Sequence, residues 1–179
     1  AAGQNEIFLR QFNGTAWLEL ANSAQGGGVS RGGGLATAPA LAVGTDNLPI
    51  LAWTQGRGGN ESDIYVRKWD GLAWQELGTG SAQTGGVSNN GGPSWRPRLT
   101  IDPSGRPVLA WVDGATGNSE VLLRRFDGQS WIELAGSASG GGISNSVTSG
   151  YGVDVAVNGG VICVAWDEQA ATAPAILSR

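Results

Sequence analysis

A chain without histidine and with a single cysteine has a short list of available chemistries. The 179 residues contain no His and no Met, one Cys (Cys163) and eight Trp. Composition therefore excludes a Ser-His or Cys-His nucleophile pair and a zinc site built on His and Cys. Carboxylates, guanidinium groups and aromatic rings remain. Asp113 and Asp167 are candidates for an acid/base pair, since glycoside hydrolysis uses two carboxyls about 5 to 9.5 Å apart. Trp95 follows Gly91-Gly92-Pro93 in a loop and adjoins Arg96 and Arg98, with Tyr151 and Asp154 further along. An aromatic face flanked by Arg, Asp and Asn side chains holds sugars by stacking and by hydrogen bonds to hydroxyls. The bland reading of Trp95 is that it packs over the end of a sheet. The Gly-rich stretches contain no G-x-x-x-x-G-K-S/T and precede no helical pattern, so they do not read as phosphate cradles. Asp102-Pro103-Ser104-Gly105 lacks the acid spacing of a calcium loop. We expect no metal and no cofactor.

The elements that must position these groups come in repeats. Asp63 to Leu77, DIYVRKWDGLAWQEL, reads as a β-hairpin with an Asp70-Gly71 corner. The corner requires φ > 0, which Gly supplies at little cost. The same hairpin occurs as EIFLRQFNGTAWLEL from Glu6 and as EVLLRRFDGQSWIEL from Glu120, so the starts lie 57 residues apart both times. Gly-rich crossings follow each copy, ending GGGVS, TGGVS and GGGIS, and a second hairpin follows each crossing. Those second hairpins run over Ala40 to Thr54, Arg98 to Val112 and Val153 to Trp166. Each unit is thus four short strands, A to D, with the opening hairpin as C and D. Trp17, Trp74 and Trp131 recur at one position, Trp53, Trp111 and Trp166 at another, and Phe12, Trp69 and Phe126 at a third. Recurrence in every unit points to packing between units, where each ring can bury about 150–250 Å². Arg10, Arg67 and Arg124 also recur, and read as structural partners for the corner acids or for backbone carbonyls. Cys163, in the apolar run Val161 to Trp166, reads as an inert core thiol.

Four-stranded antiparallel units at this period are the sequence form of β-propeller blades, so the fold class predicted is all-β, a single repeat domain over 1–179. Asp70-Gly71-Leu72-Ala73-Trp74 and Asp127-Gly128-Gln129-Ser130-Trp131 resemble the Asp box of bacterial secreted, sialidase-like β-propellers, and Asn13-Gly14-Thr15-Ala16-Trp17 carries an amide in the acid's place. Acid and glycine are adjacent here and the leading Ser is missing, so the resemblance implies architecture and does not carry sialidase activity. A sialidase-like site would also require an Arg cluster and a Tyr nucleophile, for which Tyr151 alone is suitably placed. In a propeller the D-to-A crossings and B-to-C loops meet at one mouth of the channel. The crossings would bring Arg31, Trp95, Arg96, Arg98, Tyr151 and Asp154 there, and the B-to-C loops Gln55, Arg57, Asp113, Asp167 and Glu168.

The count is about three blades: C and D, two complete sets, then A, B and a C-like tail at Ala175 to Arg179, thirteen strands in all. Three four-stranded blades are too few to close a ring. An open row would expose apolar blade faces. The expectation is a homodimer forming a six-bladed ring; the rival is a monomeric three-fold β-trefoil or β-prism.

A net charge of −4 and a pI near 4.7 argue against nucleic acid or anionic lipid as partner, and no apolar run is long enough for membrane insertion. The absence of Met even at position 1 reads as a lost start. With few Lys and abundant Gly, Ser, Thr and Asn, an exported bacterial protein, secreted or at the cell surface, is expected. The function expected is a non-catalytic binding module, lectin-like or adhesive, with a glycan or another protein as partner. The alternatives are a structural or protein-interaction scaffold and a glycosidase-type enzyme at the channel mouth.

Overall fold

A computed structural model describes residues 5–31, 35–83 and 85–169. Every regular element in it is a strand: β1 (Gln11–Phe12), β2 (Trp17–Leu18), β3 (Ala36–Val43), β4 (Pro49–Gly58), β5 (Glu61–Trp69), β6 (Trp74–Glu76), β7 (Ser94–Ile101), β8 (Pro107–Asp113), β9 (Glu120–Phe126), β10 (Trp131–Ile132), β11 (Gly150–Asn158) and β12 (Val161–Glu168). Strands β3-β4-β5-β6 and β7-β8-β9-β10 form two complete antiparallel four-stranded sheets in chain order. They are flanked by two half-sheets, β1-β2 of C/D type and β11-β12 of A/B type. The expected tail strand at Ala175 to Arg179 lies outside the described residues. The architecture is all-β and propeller-like, a row of blade-like sheets, with no closed sheet among the described residues.

Packing is face to face, and each face is written in the period-two alternation of the strands. Leu51 and Trp53 of β4 pack with Trp69 and Trp74 onto Ile7 and Leu9 of the preceding half-sheet. The opposite face of the same sheet, Ile50, Ala52, Ile64 and Val66, meets Leu109, Trp111 and Leu122. The reverse face of that third sheet, Val108, Ala110, Val112, Val121 and Leu123, meets Val153 and Val155. Trp53 and Trp111 are fully buried. Trp74 and Trp131 each donate their indole N–H to a carbonyl of the preceding unit, Leu20 O at 3.0 Å and Leu77 O at 2.7 Å. The recurrent arginines are structural: Arg67 donates to Val29 O and Arg124 to Val87 O, both carbonyls of the preceding Gly-rich crossing.

Two serines in each crossing explain why it takes the same path every time. Ser23, Ser81 and Ser137 donate to Leu9, Val66 and Leu123 O and accept from Leu20, Leu77 and Leu134 N. Ser30, Ser88 and Ser144 hold the starts of the C strands by accepting from Ile7, Ile64 and Val121 N. Glycine is required where the crossing presses on the C strand. At Gly28 and Gly86 (φ +57° and +53°) a Cβ would stand 2.2 and 2.3 Å from Ile7 O and Ile64 O. The corners are four-residue loops, with Asp70 N donating to Ala73 O. Asp70 Oδ1 accepts from Leu72 N and Ala73 N, and Asn13 and Asp127 repeat the pattern. The last hairpin turns through Gly159-Gly160, both at positive φ.

Two expectations fail here. Cys163 is exposed rather than a core thiol, because it lies on the outward face of the last half-sheet, where no further sheet among the described residues covers it. The first C strand, expected over Ile7 to Gln11, forms its β-ladder only at Gln11–Phe12: Ile7 and Leu9 bond to the crossing as Ile64 and Val66 do, but no B strand among the described residues pairs with this stretch.

The serine clamp has a measurable worth. Ser81→Ala, which leaves Leu77 N and Val66 O without their bridge, should cost about 1–3 kcal/mol in urea unfolding, against about 3–5 kcal/mol for Trp53→Ala. The corner acids give a pH test. Backbone N–H groups, of Ala73 then Leu72 for Asp70 and of Ser130 then Gln129 for Asp127, hold both carboxyls below the ordinary value of 3.8. A depressed folded-state pKa contributes stability above the unfolded pKa, and that contribution is lost as pH falls through the folded one. Because Asn13 serves at the first corner, Asp70→Asn with Asp127→Asn should keep the fold. Its urea midpoint should fall less steeply than the parent's below about pH 4.

Candidate functional site

The ends of the sheets where A strands begin and B strands end are brought to one side by the pairing register. Ser94 faces Asp113 across β7-β8, Asp113 faces Glu120 across β8-β9, and Gly150 faces Glu168 across β11-β12. Each A strand also carries an irregularity at this end, between Thr37 and Ala40, Trp95 and Arg98, and Gly150 and Gly152. Ala38 and Arg96 sit in these bulges at φ 50° and 55°, which turns their side chains away from the ladder.

The candidate residues divide between structure and surface. Trp95 pairs with Val112, is half-buried against the third core, and has Gly114 beneath its ring, where a Cβ would stand 3.2 Å from it. It caps its sheet. Arg96 is exposed and braces three sheets: its backbone N donates to Thr54 Oγ1 at 3.2 Å and its guanidinium donates to Tyr151 O. Arg98 is exposed, with Nη1 donating to Pro97 O at 3.1 Å. Tyr151 is 53% exposed.

Asp113 is a buried hub. Its Oδ2 accepts from Trp111 Nε1 at 2.9 Å, Ser94 Oγ at 2.7 Å and Asn90 Nδ2 at 2.5 Å, while Oδ1 accepts from Ala115 N. Three donors occupy Oδ2, Oδ1 holds a backbone N–H, and the residue is 3% exposed, so Asp113 is engaged in structure and shielded from a substrate. Asp167 is exposed on β12, opposite Gly152. Gly152 makes room for it, since a Cβ there would stand 2.2 Å from Asp167 Oδ1. Asp154, also exposed, pairs with Ala165 and shares a face with Asp167 one step along the diagonal. Diagonal neighbours on one sheet face stand about 7–8 Å apart.

Of the other acids at this end, Glu168 is one the sequence places at the mouth, whereas Glu120 and Asp63 were passed over. Glu120 accepts from Ser144 Oγ at 2.5 Å and Ser146 N at 3.1 Å. Glu168 accepts from Ser146 and Thr148 hydroxyls and from Trp166 Nε1 at 3.1 Å. These bonds, Ser146 foremost, then Trp166 and Thr148, hold the Glu168 carboxyl below the ordinary carboxylate value. Asp63 goes the other way: burial pushes its carboxyl up, against Arg57 Nε at 2.7 Å and the Ser88 hydroxyl. The signal was present in the sequence, as a Ser 24 or 25 residues after each C-strand acid.

No family model matches the chain, and no curated protein matches it. Among solved structures it is similar to a protein of Bacteroides thetaiotaomicron assigned as a glycosidase, at 15% identity and a TM-score of 0.44, over 67% of this chain and 38% of the other. It is similar to a protein of the GH130 family of mannoside phosphorylases at 13% identity and a TM-score of 0.44, over 67% and 37%. It is also similar to a Parabacteroides distasonis protein assigned as a glycoside hydrolase, at 14% identity and a TM-score of 0.42, over 73% and 41%. The chain spans about two fifths of the length of each. The expectation that this chain is not an enzyme is corrected by these likenesses to glycoside-cleaving proteins. The correction ends there: at such identities and TM-scores no substrate or site residue passes to this chain.

Because Asp113 serves structure, Asp113→Asn should lose about 1–3 kcal/mol in urea unfolding, as the amide N–H₂ meets a donor whichever oxygen it replaces. Asp167→Asn should stay within about 0.5 kcal/mol of the parent.

Proposed function

We propose that this chain is part of a β-propeller that acts on carbohydrate, with a glycosidase-type site at the mouth where A strands begin. The observation that carries the reading is the pair Asp154 and Asp167 on one face of β11-β12. Diagonal positions on one sheet face stand about 7–8 Å apart, a spacing from which two side chains can set their carboxyls about 6.5–9.5 Å apart, the range that inverting glycosidases use. In that reaction one carboxyl protonates the departing glycosidic oxygen. The other takes a proton from the water that attacks the anomeric carbon, so the product is inverted. Tyr151, three residues before Asp154 and 53% exposed, offers a ring for stacking a sugar, and Arg96 is anchored to its carbonyl. The composite of aromatic face, guanidinium and two carboxyls is the usual equipment of a polar ligand site.

The test is release of a fluorogenic aglycone from a panel of aryl glycosides. Asp154→Asn and Asp167→Asn should each cut turnover by about 10²–10⁴-fold with the fold intact, and NMR of the product should show inversion. Glycan binding without turnover by the parent, or full activity in both variants, would overturn the reading.

A further inference from the structure

Equivalent residues differ in burial according to where they fall in the row. Trp74 is 3% exposed but its counterpart Trp17 is 65%; Trp69 is 8% and its counterpart Phe12 52%. Trp53 and Trp111 are fully buried, whereas Trp166 is 38% exposed. The excess sits at two places. One is the face of β1-β2 that should lie on a preceding sheet, with Phe8 at 54%. The other is β12, whose described neighbour is β11 alone. The two half-sheets are complementary, one supplying A and B, the other C and D.

We propose that a second copy of this chain completes the blade: β12 of one copy pairs antiparallel with residues 6–12 of the other. The internal sheets set the register. Trp53 pairs with Tyr65 and Trp111 with Leu122, so Trp166 pairs with the other copy's Phe8. Ile50 pairs with Lys68 and Val108 with Arg125, so Cys163 pairs with Gln11. The stitching contacts extend in the same way. Trp74 reaches Leu20 O and Trp131 reaches Leu77 O, so Trp17 reaches Leu134 O of the other copy. Arg67 reaches Val29 O and Arg124 reaches Val87 O, so Arg10 reaches Ile143 O.

Both exposed faces are covered at once. Trp17, Phe8 and Phe12 land on the Val121 and Leu123 side of the first copy's third sheet. The outward face of β12, with Ala165 and Cys163, lands on the second copy's β3-β6 sheet. Two copies related by a two-fold axis form two composite and four internal blades, a six-bladed ring within the usual four to eight. Thr54 Oγ1 accepts from the Arg96 amide of the following A strand, so Asp167, its counterpart, takes the other copy's Ala38 amide. That copy's β3 thereby becomes the far wall of the Asp154/Asp167 mouth. The pairing itself does not depend on the carbohydrate reading.

Light scattering on the 179-residue chain should give twice 18.3 kDa. Trp17→Ala and Arg10→Ala should each raise the dissociation constant at least about tenfold, with the circular dichroism of the parent retained. Gln11→Cys, assembled under oxidising conditions, should form a disulfide with the directly opposite native Cys163 of the other copy, giving a covalent dimer that Cys163→Ser abolishes. A parent mass of one chain, as expected if only further units of one longer chain fill these edges, would overturn the proposal. So would cross-linking of Gln11→Cys that persists without Cys163. Loss of turnover in Asp154→Asn with the dimer intact bears on the carbohydrate reading alone.

Discussion

An indole N–H taken out of water must find an acceptor, and the row of sheets depends on how this chain meets that demand. The B-strand rings satisfy theirs within the sheet: Trp53 donates to Gln55, Trp111 to Asp113 and Trp166 to Glu168, always the residue two positions on and therefore on the same face. The D-strand rings satisfy theirs in the preceding unit, at Leu20 O and Leu77 O. The first arrangement lets a large ring enter the core with its polar atom paired. The second fixes the distance and tilt between successive sheets. Arg67, with its guanidinium 5.9 Å from the Trp53 ring centroid and one donor on Val29 O, links both.

The same solution places carboxylates at the mouth. An acceptor is required after each buried tryptophan, and a Ser-held acid at the start of each C strand anchors the crossing. Acids therefore accumulate at one end of the sheets for structural reasons before any question of chemistry arises. What separates them is exposure and bonding. Asp113 and Glu120 are buried and bonded by several donors, and Asp63 is buried beside Arg57. Asp154 and Asp167 belong to the last half-sheet and stand where the repeats differ most, which is why chemistry is assigned to them.

Much of the fold was legible in one sequence because it is written three times. The 57-residue period, the Asx corners and the positions of the tryptophans follow from residue types whose local demands are strong: Gly at positive φ, Asp or Asn accepting from the next amides, and rings alternating with small residues along a strand. Composition alone also shows that this chain, having no His, supplies no Ser-His or Cys-His pair. The site was less legible. Asp113 and Asp167 look alike in sequence, and only the packed structure shows that the first is consumed by Trp111, Ser94 and Asn90 while the second lies open across from Gly152. Cys163 shows the same limit, since an apolar run says that a strand is present but not whether a neighbour covers it. Burial, donor geometry and the diagonal pairing of Asp154 with Asp167 depend on strand register and sheet stacking. Those are set by contacts between residues far apart in the chain, so only the tertiary structure decides them.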